Sequence, residues 1–108
     1  MDVYHIWCDL KDSRDDKAFA AAVAAYLDDH KAGGRIESWR LLRRKLGLGP
    51  DGLGEFHVMI ETRDMAQLDA AFRLAATRSG AVERLHAAVY SRVATARFGL
   101  ERDFPDQG

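Results

Sequence analysis

The chain has 108 residues, 47% of them apolar and 31% charged, with a formal net charge of −1 and a pI of about 6.4. This length fits one domain over residues 1–108, and the charge balance does not favour nucleic acid or an anionic membrane as a partner. Cys8 is the only cysteine, which excludes an internal disulfide and a cysteine metal cluster. We expect a cytoplasmic protein, because no apolar run approaches ~20 residues and the first residues lack a signal-peptide pattern.

The first predicted element is a strand over residues 3–10, because its side chains alternate in character with a period of two. One predicted face, which holds Cys8 as an inert core residue, consists of Tyr4, Ile6, Cys8 and Leu10. The other face consists of Val3, His5, Trp7 and Asp9.

A helix is predicted next, with Ser13 as its N-cap and Asp16 in its first turn. Its apolar stripe has helical spacing and consists of Phe19, Ala22, Val23, Tyr26 and Leu27. Gly33 and Gly34 are expected to end the helix, since glycine accepts the left-handed geometry of a C-terminal cap.

Residues 35–46 do not alternate strictly, and we interpret them as an edge strand with a bulge or face switch near Arg40. The position of the bulge leaves open whether Trp39 or Arg40 shares a face with His5. A loop rich in glycine follows at residues 47–54 and leads into a strand over residues 55–62. The two faces of that strand are Phe56, Val58, Ile60 and Thr62 on one side, and Glu55, His57, Met59 and Glu61 on the other.

Asp64 and Gln67 have the spacing of a capping box and predict the start of a second helix. Its predicted apolar stripe is Met65, Leu68, Ala71, Phe72 and Ala75, and Gly80 is expected to close it. A short third helix over residues 81–90 and a last strand over residues 93–102 follow, with residues 103–108 as a flexible tail.

The predicted order of elements is that of an α+β, ferredoxin-like βαββαβ fold with a four-stranded antiparallel sheet. Both main helices then cover one face of the sheet and leave the other bare. The bare face carries large apolar groups such as Trp7 and Met59, which monomers seldom expose as a contiguous patch. We therefore predict a homodimer in which two sheets pack face to face and enclose a lumen.

Several segments also resemble a known group of proteins: residues 4–7, 39–41, 43–47, 56–58 and 102–106. Over nearly the whole chain the sequence is similar to a family of uncharacterised small bacterial proteins in the dimeric α/β-barrel superfamily, near the stress-responsive barrel-domain proteins. The resemblance implies this fold and a dimer. The superfamily includes cofactor-free monooxygenases, isomerases, mutarotases, haem-dependent dismutases and proteins without a known reaction, so it does not choose an activity.

The residues on the bare face suggest a site in the lumen. His57 and His5 lie on neighbouring strands and are the candidate acid–base residues, although the register of the two strands is open. The candidate ligand-binding residues offer rings for stacking, cations for an anion and polar groups, and are Trp7, Trp39, Arg40, Arg43, Met59, Asp9 and Glu61. A plain polar dimer seam, with tryptophans as interface anchors, explains the same residues.

Other site types fit the sequence less well. A metal would need three or four convergent ligands, and no short-range ligand motif is present, so we expect neither a metal nor another cofactor. The RNA-recognition motif shares the strand order, but His57 and Met59 stand where two stacking aromatics are needed. Three hypotheses remain: a homodimer that binds a small aromatic or anionic molecule in its lumen, a cofactor-free monooxygenase or isomerase that uses a lumen histidine, and a structural or stress-related dimer without a ligand.

Overall fold

The computed structural model describes residues 1–77 and 79–105 and has a four-stranded antiparallel sheet with three α-helices. The strands are β1 (Asp2–Leu10), β2 (Ser38–Arg43), β3 (Phe56–Thr62) and β4 (Val93–Arg102). Their order across the sheet is β2-β3-β1-β4. The helices are α1 (Asp16–Ala32), α2 (Met65–Ala76) and α3 (Gly80–Tyr90). This arrangement confirms the predicted α+β, ferredoxin-like fold.

The core lies between the helices and one face of the sheet. The face that meets the helices alternates as predicted: Phe56, Val58, Ile60 and Thr62 are buried along β3, and the residues between them are half-buried. From α1 the sheet receives Phe19, Val23 and Leu27, three residues of the predicted stripe, which are at most 4% exposed. Cys8 is 2% exposed, and burial raises the pKa of its thiol to about 11, which agrees with an inert core residue.

One close backbone approach explains why a glycine precedes β3. A Cβ atom added to Gly54 would lie 2.4 Å from the carbonyl carbon and oxygen of Cys8. Only glycine lets the chain enter the sheet at this distance from β1. In the register that follows, Cys8 pairs with Phe56 and Trp7 with His57.

The structure corrects two helix boundaries. Ser13 is not an N-cap: it begins a short 3-10 helix over Ser13–Asp15, which is capped by the Asp12 carboxylate accepting from the backbone N–H of Arg14. Gly80 does not close α2, because α2 already ends at Ala76 and Gly80 is the first residue of α3. A glycine between two helical patterns fits either helix, and spacing alone assigned it to the wrong one.

The predicted bulge in the second strand is also wrong. Pairing between β2 and β3 runs without interruption from Ser38 opposite Glu61 to Arg43 opposite Phe56. The irregular hydrophobic pattern has another cause: β2 is an edge strand, as predicted, and both of its faces are only partly buried. The one register shift in the sheet lies between β1 and β4, near Asp9 and Leu10.

At its outer edge the sheet is less covered than predicted. Beneath β4 the helices leave Phe98 62% exposed and Leu100 49% exposed, and Phe72 of α2 is also exposed. In the predicted tail, Asp103 is tied to the first residue, since its N–H donates to the Met1 carbonyl and its carboxylate lies 3.2 Å from the Met1 amino group. Residues 106–108 of that tail lie outside the described residues. Among the helices of the described residues, none has the length and apolar character needed to cross a bilayer.

Candidate functional site: the open face of the sheet

The face of the sheet that no helix covers, here called the open face, presents a row of side chains from each strand. Residues paired across antiparallel strands point to the same side, so the register assigns the whole face. Trp7, for example, pairs with His57 on one side and with Arg97 on the other. The open face consists of Ser38, Arg40 and Leu42 from β2; His57, Met59 and Glu61 from β3; Val3, His5, Trp7 and Asp9 from β1; and Thr95, Arg97, Gly99 and Glu101 from β4.

Three aromatic rings pack together at the centre of the open face. The Trp7 ring stacks on His57 at 4.6 Å between centroids and on His5 at 5.2 Å, and the two imidazoles lie 5.1 Å apart. The stack has room because Gly99 faces it, where a Cβ would lie 3.2 Å from the Trp7 ring. His5 is only 6% exposed as a result, although no helix covers it.

A chain of hydrogen bonds links a carboxylate to both imidazoles. Glu101 Oε1 lies 2.7 Å from His5 Nε2, and His5 Nδ1 lies 2.8 Å from His57 Nε2. Each step joins diagonal neighbours on adjacent strands, because Glu101 pairs with Val3, two residues from His5, and His5 pairs with Met59, two residues from His57. Diagonal neighbours remain within reach of long or aromatic side chains.

These hydrogen bonds determine which ring nitrogens of the two histidines carry protons. The Glu101 carboxylate can only accept, so His5 donates from Nε2. When His5 is neutral, its Nδ1 accepts the Nε2–H of His57, which leaves His57 Nδ1 unprotonated. Burial, and then the neighbouring His5, lower the pKa of His57, so the neutral form is favoured at pH 7. Such an imidazole is suited to accept a proton.

The other predicted site residues of the open face lie around this centre. Met59 and Arg40 stand in the same row as His5, and Glu61 stands across Val3 from Glu101. Asp9 does not meet His57: its carboxylate accepts from the backbone N–H of Glu55 at 2.9 Å and lies 3.4 Å from the Thr95 hydroxyl. The carboxylate that orients the histidines is therefore Glu101.

Two predicted ligand-binding residues lie on the other side of the sheet. Trp39 pairs with Ile60 and donates from its indole N–H to Asp28 of α1 at 2.8 Å. Arg43 pairs with Phe56, lies over its ring, and forms ion pairs with Asp16 of α1 and with Glu55. Because β2 has no bulge, the register places both residues on the helix side of the sheet. Arg43 still borders a hollow that Trp7 and His57 line, and Trp39 borders one that Arg40 and Met59 line. The same register places Arg40 on the open face.

Sequence reasoning missed two residues at the ends of this arrangement, Glu101 and Arg44. Strict alternation of β4 would have placed Glu101 on the face of the sheet away from the core. Its contact with His5 depends on the register between β1 and β4. Arg44 follows the end of β2 and borders a hollow of about 180 Å³ at the edge of the open face. The hollow is lined mainly by Trp7, Leu42, Arg44, Leu48, Leu53 and His57.

A second cavity, of about 250 Å³, lies between the helices and the sheet. Its lining is largely apolar, but Tyr26 stands there between His30 and His86, with ring centroids 4.6 Å and 4.9 Å away. Arg35 donates to His30 Nδ1 at 2.9 Å, so the neutral His30 carries its proton on Nε2. Burial raises the pKa of Tyr26 to about 12, which keeps its hydroxyl protonated at pH 7.

Neither place gathers a set of metal ligands. Among the histidine, cysteine, aspartate and glutamate side chains of residues 1–77 and 79–105, no group of three or more could hold a metal ion. The chemistry that the described site residues offer is acid–base and anion binding.

The fold and the open face define a ferredoxin-like α+β protein with one uncovered sheet face. The whole chain, residues 1–108, matches the model of a family of unknown function, DUF6614. The protein belongs to this family. No curated protein is similar enough in sequence to count as a match.

Solved structures with a similar fold include a dimeric protein of unknown function and a monooxygenase. A dimeric ferredoxin-like protein of unknown function from Jannaschia sp. CCS1 has a TM-score of 0.67 and 12% identity, covering 95% of this chain and 100% of its own. The protein At3g17210 from Arabidopsis thaliana has a TM-score of 0.72 and 6% identity, with 99% of both chains covered. An antibiotic biosynthesis monooxygenase has a TM-score of 0.65 and 13% identity, covering 97% and 100%. At these identities the likeness establishes the fold alone.

Proposed function

We propose that the protein is a cytoplasmic homodimer whose two open faces pack together and bind a small aromatic or anionic molecule between them. The observation that carries the proposal is the hydrogen-bonded chain from Glu101 through His5 to His57, stacked on Trp7. A partly buried acid–base pair beside a large ring, on a face without its own cover, is expected where another surface closes over it.

The proposed partner is a second copy of the chain. The open face carries Trp7, Leu42 and Met59 among charged groups of both signs, a mixture that suits a self-complementary two-fold interface. Dimers are also described for the ferredoxin-like structure from Jannaschia sp. CCS1. Analytical ultracentrifugation at about 10 µM tests this step, since a protein that stays monomeric at such a concentration lacks the proposed lumen.

In the lumen, the proposed ligand contacts are Trp7, Arg40, Met59, Asp9 and Glu61, around His57 and His5. A thermal-shift screen of small aromatic acids tests binding, because a ligand specific to the folded dimer raises its melting temperature. The proposal fails if no such acid raises the melting temperature, or if the shift is the same after Trp7→Ala.

Catalysis is a second candidate function, favoured by the unprotonated Nδ1 that the chain of hydrogen bonds leaves on His57. It would be a cofactor-free oxygenation or isomerisation that starts with proton removal by His57. The fold of an antibiotic biosynthesis monooxygenase is compatible with this role. His57→Ala and His5→Ala would then abolish turnover and spare binding, whereas loss of binding alone favours a binding protein.

The cavity between the helices and the sheet is the rival position for a ligand, favoured by its apolar lining and by the three polar rings of Tyr26, His30 and His86. Amide chemical shifts on addition of a ligand separate the two positions. Shifts at β1 and β3 residues of the open face support the lumen, and shifts confined to α1 and α3 support the cavity. A side-chain-filled lumen without any ligand would support the structural dimer.

A further inference from the structure

The hydrogen bonds from Glu101 through His5 to His57 run diagonally across three strands. The hollow lies at the His57 end of this diagonal. Each step of that diagonal moves two residues along the next strand, from Glu101 to His5 and from His5 to His57. His57 pairs with Leu42, so the next position along the same diagonal is Arg44. The N–H of Arg44 donates to the Glu55 carbonyl at 2.8 Å and continues the pairing just beyond β2.

Arg44 is held in place by the glycine-rich loop. Its Nη2 donates to the Leu53 carbonyl at 2.7 Å, with the Pro50 carbonyl at 3.4 Å, and no carboxylate among the described residues pairs with it. A guanidinium has five N–H donors, so donors remain for a ligand after these bonds. The loop therefore presents an oriented cation at one wall of the hollow.

The size and lining of the hollow restrict what fits. Its volume of about 180 Å³ is below the ~300–1,000 Å³ of sites for drug-sized ligands, and its other walls include Trp7, Leu42 and Leu53. This space suits a single ring with one or two small polar groups. The carboxylate on this wall, Glu55, is paired at 2.8 Å with Arg43, which also borders the hollow. Of the charged residues that line the hollow, Arg44 is therefore the one left for an anionic ligand.

We infer that the hollow binds a single-ring aromatic carboxylate, with Arg44 pairing its anionic group and His57 Nδ1 facing a second acidic group such as a hydroxyl. Glu101 is the positioning residue: through His5 it keeps His57 in the tautomer that can accept a hydrogen bond or a proton. The inference rests on the proposed function and names its ligand class together with two residues, Arg44 and Glu101.

Binding of benzoate, followed by NMR titration of the ¹⁵N-labelled full chain, tests the ligand class. Benzamide has nearly the same shape without the charge, so we expect it to bind at least about tenfold more weakly than benzoate. Arg44→Gln is expected to weaken benzoate binding by a similar factor. Lys45→Gln, at the exposed neighbouring position, makes the same charge change and is expected to stay within about twofold of the unmodified protein.

The tautomer test is independent of any ligand. Imidazole ¹⁵N spectra are expected to show His57 with its proton on Nε2 in the unmodified protein. In Glu101→Ala, His5 loses its acceptor, and we expect both tautomers of both histidines to be populated. Glu101→Asp keeps a carboxylate and is expected to restore the single tautomer at least in part. Glu101 is largely exposed, so these variants are expected to fold.

Equal binding of benzoate and benzamide, or full binding by Arg44→Gln, overturns the inference, as does an unchanged His57 tautomer in Glu101→Ala. Amide chemical shifts induced by benzoate only around the cavity between the helices and the sheet overturn it as well. A dimer that binds other aromatic acids on its open face, independently of Arg44, overturns this inference and leaves the proposed function standing. A protein that is monomeric at about 10 µM removes both.

Discussion

At the scale of the residue, the tautomer of one imidazole is decided by a carboxylate two strands away. Glu101 does not touch His57, but it accepts from His5 Nε2, and a neutral His5 then accepts from His57 at Nδ1. The rings are held by stacking on Trp7 rather than by a covering helix. A site built in this way needs only strand pairing to align its groups, because each group stands at a fixed position on a rigid sheet.

His30 gives a pH-dependent prediction at the same scale. Burial, and then the Arg35 cation, lower the pKa of His30 in the folded protein below its ordinary value of 6.5. The unfolded chain then binds more protons as the pH falls below about 6.5, so stability present above that pH is lost on acidification.

We therefore expect the free energy of unfolding to decrease between about pH 7.5 and about pH 5, and to decrease less in His30→Gln, which retains an acceptor for Arg35. Urea denaturation at both pH values measures the two slopes. Identical losses in the two proteins would show that His30 does not contribute to the acid sensitivity.

At the scale of the element, α2 shows how a sequence signal and a structure agree. Asp64 caps the helix by accepting from the N–H of Gln67 at 2.9 Å, and the Gln67 side chain accepts in return from the N–H of Arg63 at 2.7 Å. Gln67 also donates to the Gly34 carbonyl at 3.0 Å, which ties the start of α2 to the end of α1. Gln67 therefore joins the start of α2 to the turn that follows α1, in addition to its role in the cap.

We expect Asp64→Ala to lower the free energy of unfolding by about 1 kcal/mol, because the N–H of Gln67 in the first turn loses its side-chain acceptor. Asp69→Ala on the same helix removes only an exposed ion pair with Arg73, and should cost about 0.5 kcal/mol or less. Chemical denaturation followed by circular dichroism compares the two variants. Equal losses would mean that the cap has no special role.

The comparison of α2 with β2 shows where sequence patterns work. The capping box is a local signal that the structure reproduces at the predicted residues. The alternation of β2 failed as a guide, because an edge strand with two half-buried faces has no strong hydrophobic pattern. The bulge inferred for it does not exist, and the sides of Trp39 and Arg43 follow from the pairing with β3.

At the scale of the whole molecule, the sheet has one face in the core and one without a cover from its own helices. The proposed dimer closes that face, places His57 and Trp7 in a shared interior, and leaves the helices outside. Leu42 is a suitable probe of this arrangement, because it is a half-buried apolar residue on an edge strand of the open face.

We expect Leu42→Asp to shift the protein from dimer to monomer at about 10 µM, since two charges would meet near an apolar seam. Met65→Asp changes an exposed apolar residue on the opposite, helical side and should leave the mass unchanged. Size-exclusion chromatography with light scattering measures both. A Leu42→Asp protein that remains dimeric would place the interface elsewhere.

The amino-acid sequence by itself determined the two faces of β1 and β3, the apolar stripe of α1 and the cap of α2, and hence the fold, because these are periodic signals contained within single elements. It also placed His5 and His57 on one face. Only the tertiary structure decided that the two histidines touch, that Glu101 extends their hydrogen bonds, and that Arg44 stands beyond His57. It also decided that Trp39 and Arg43 lie on the helix side of the sheet. Those facts depend on the register between strands far apart in the chain, and register is set by pairing across the whole sheet rather than by the residues of any one strand.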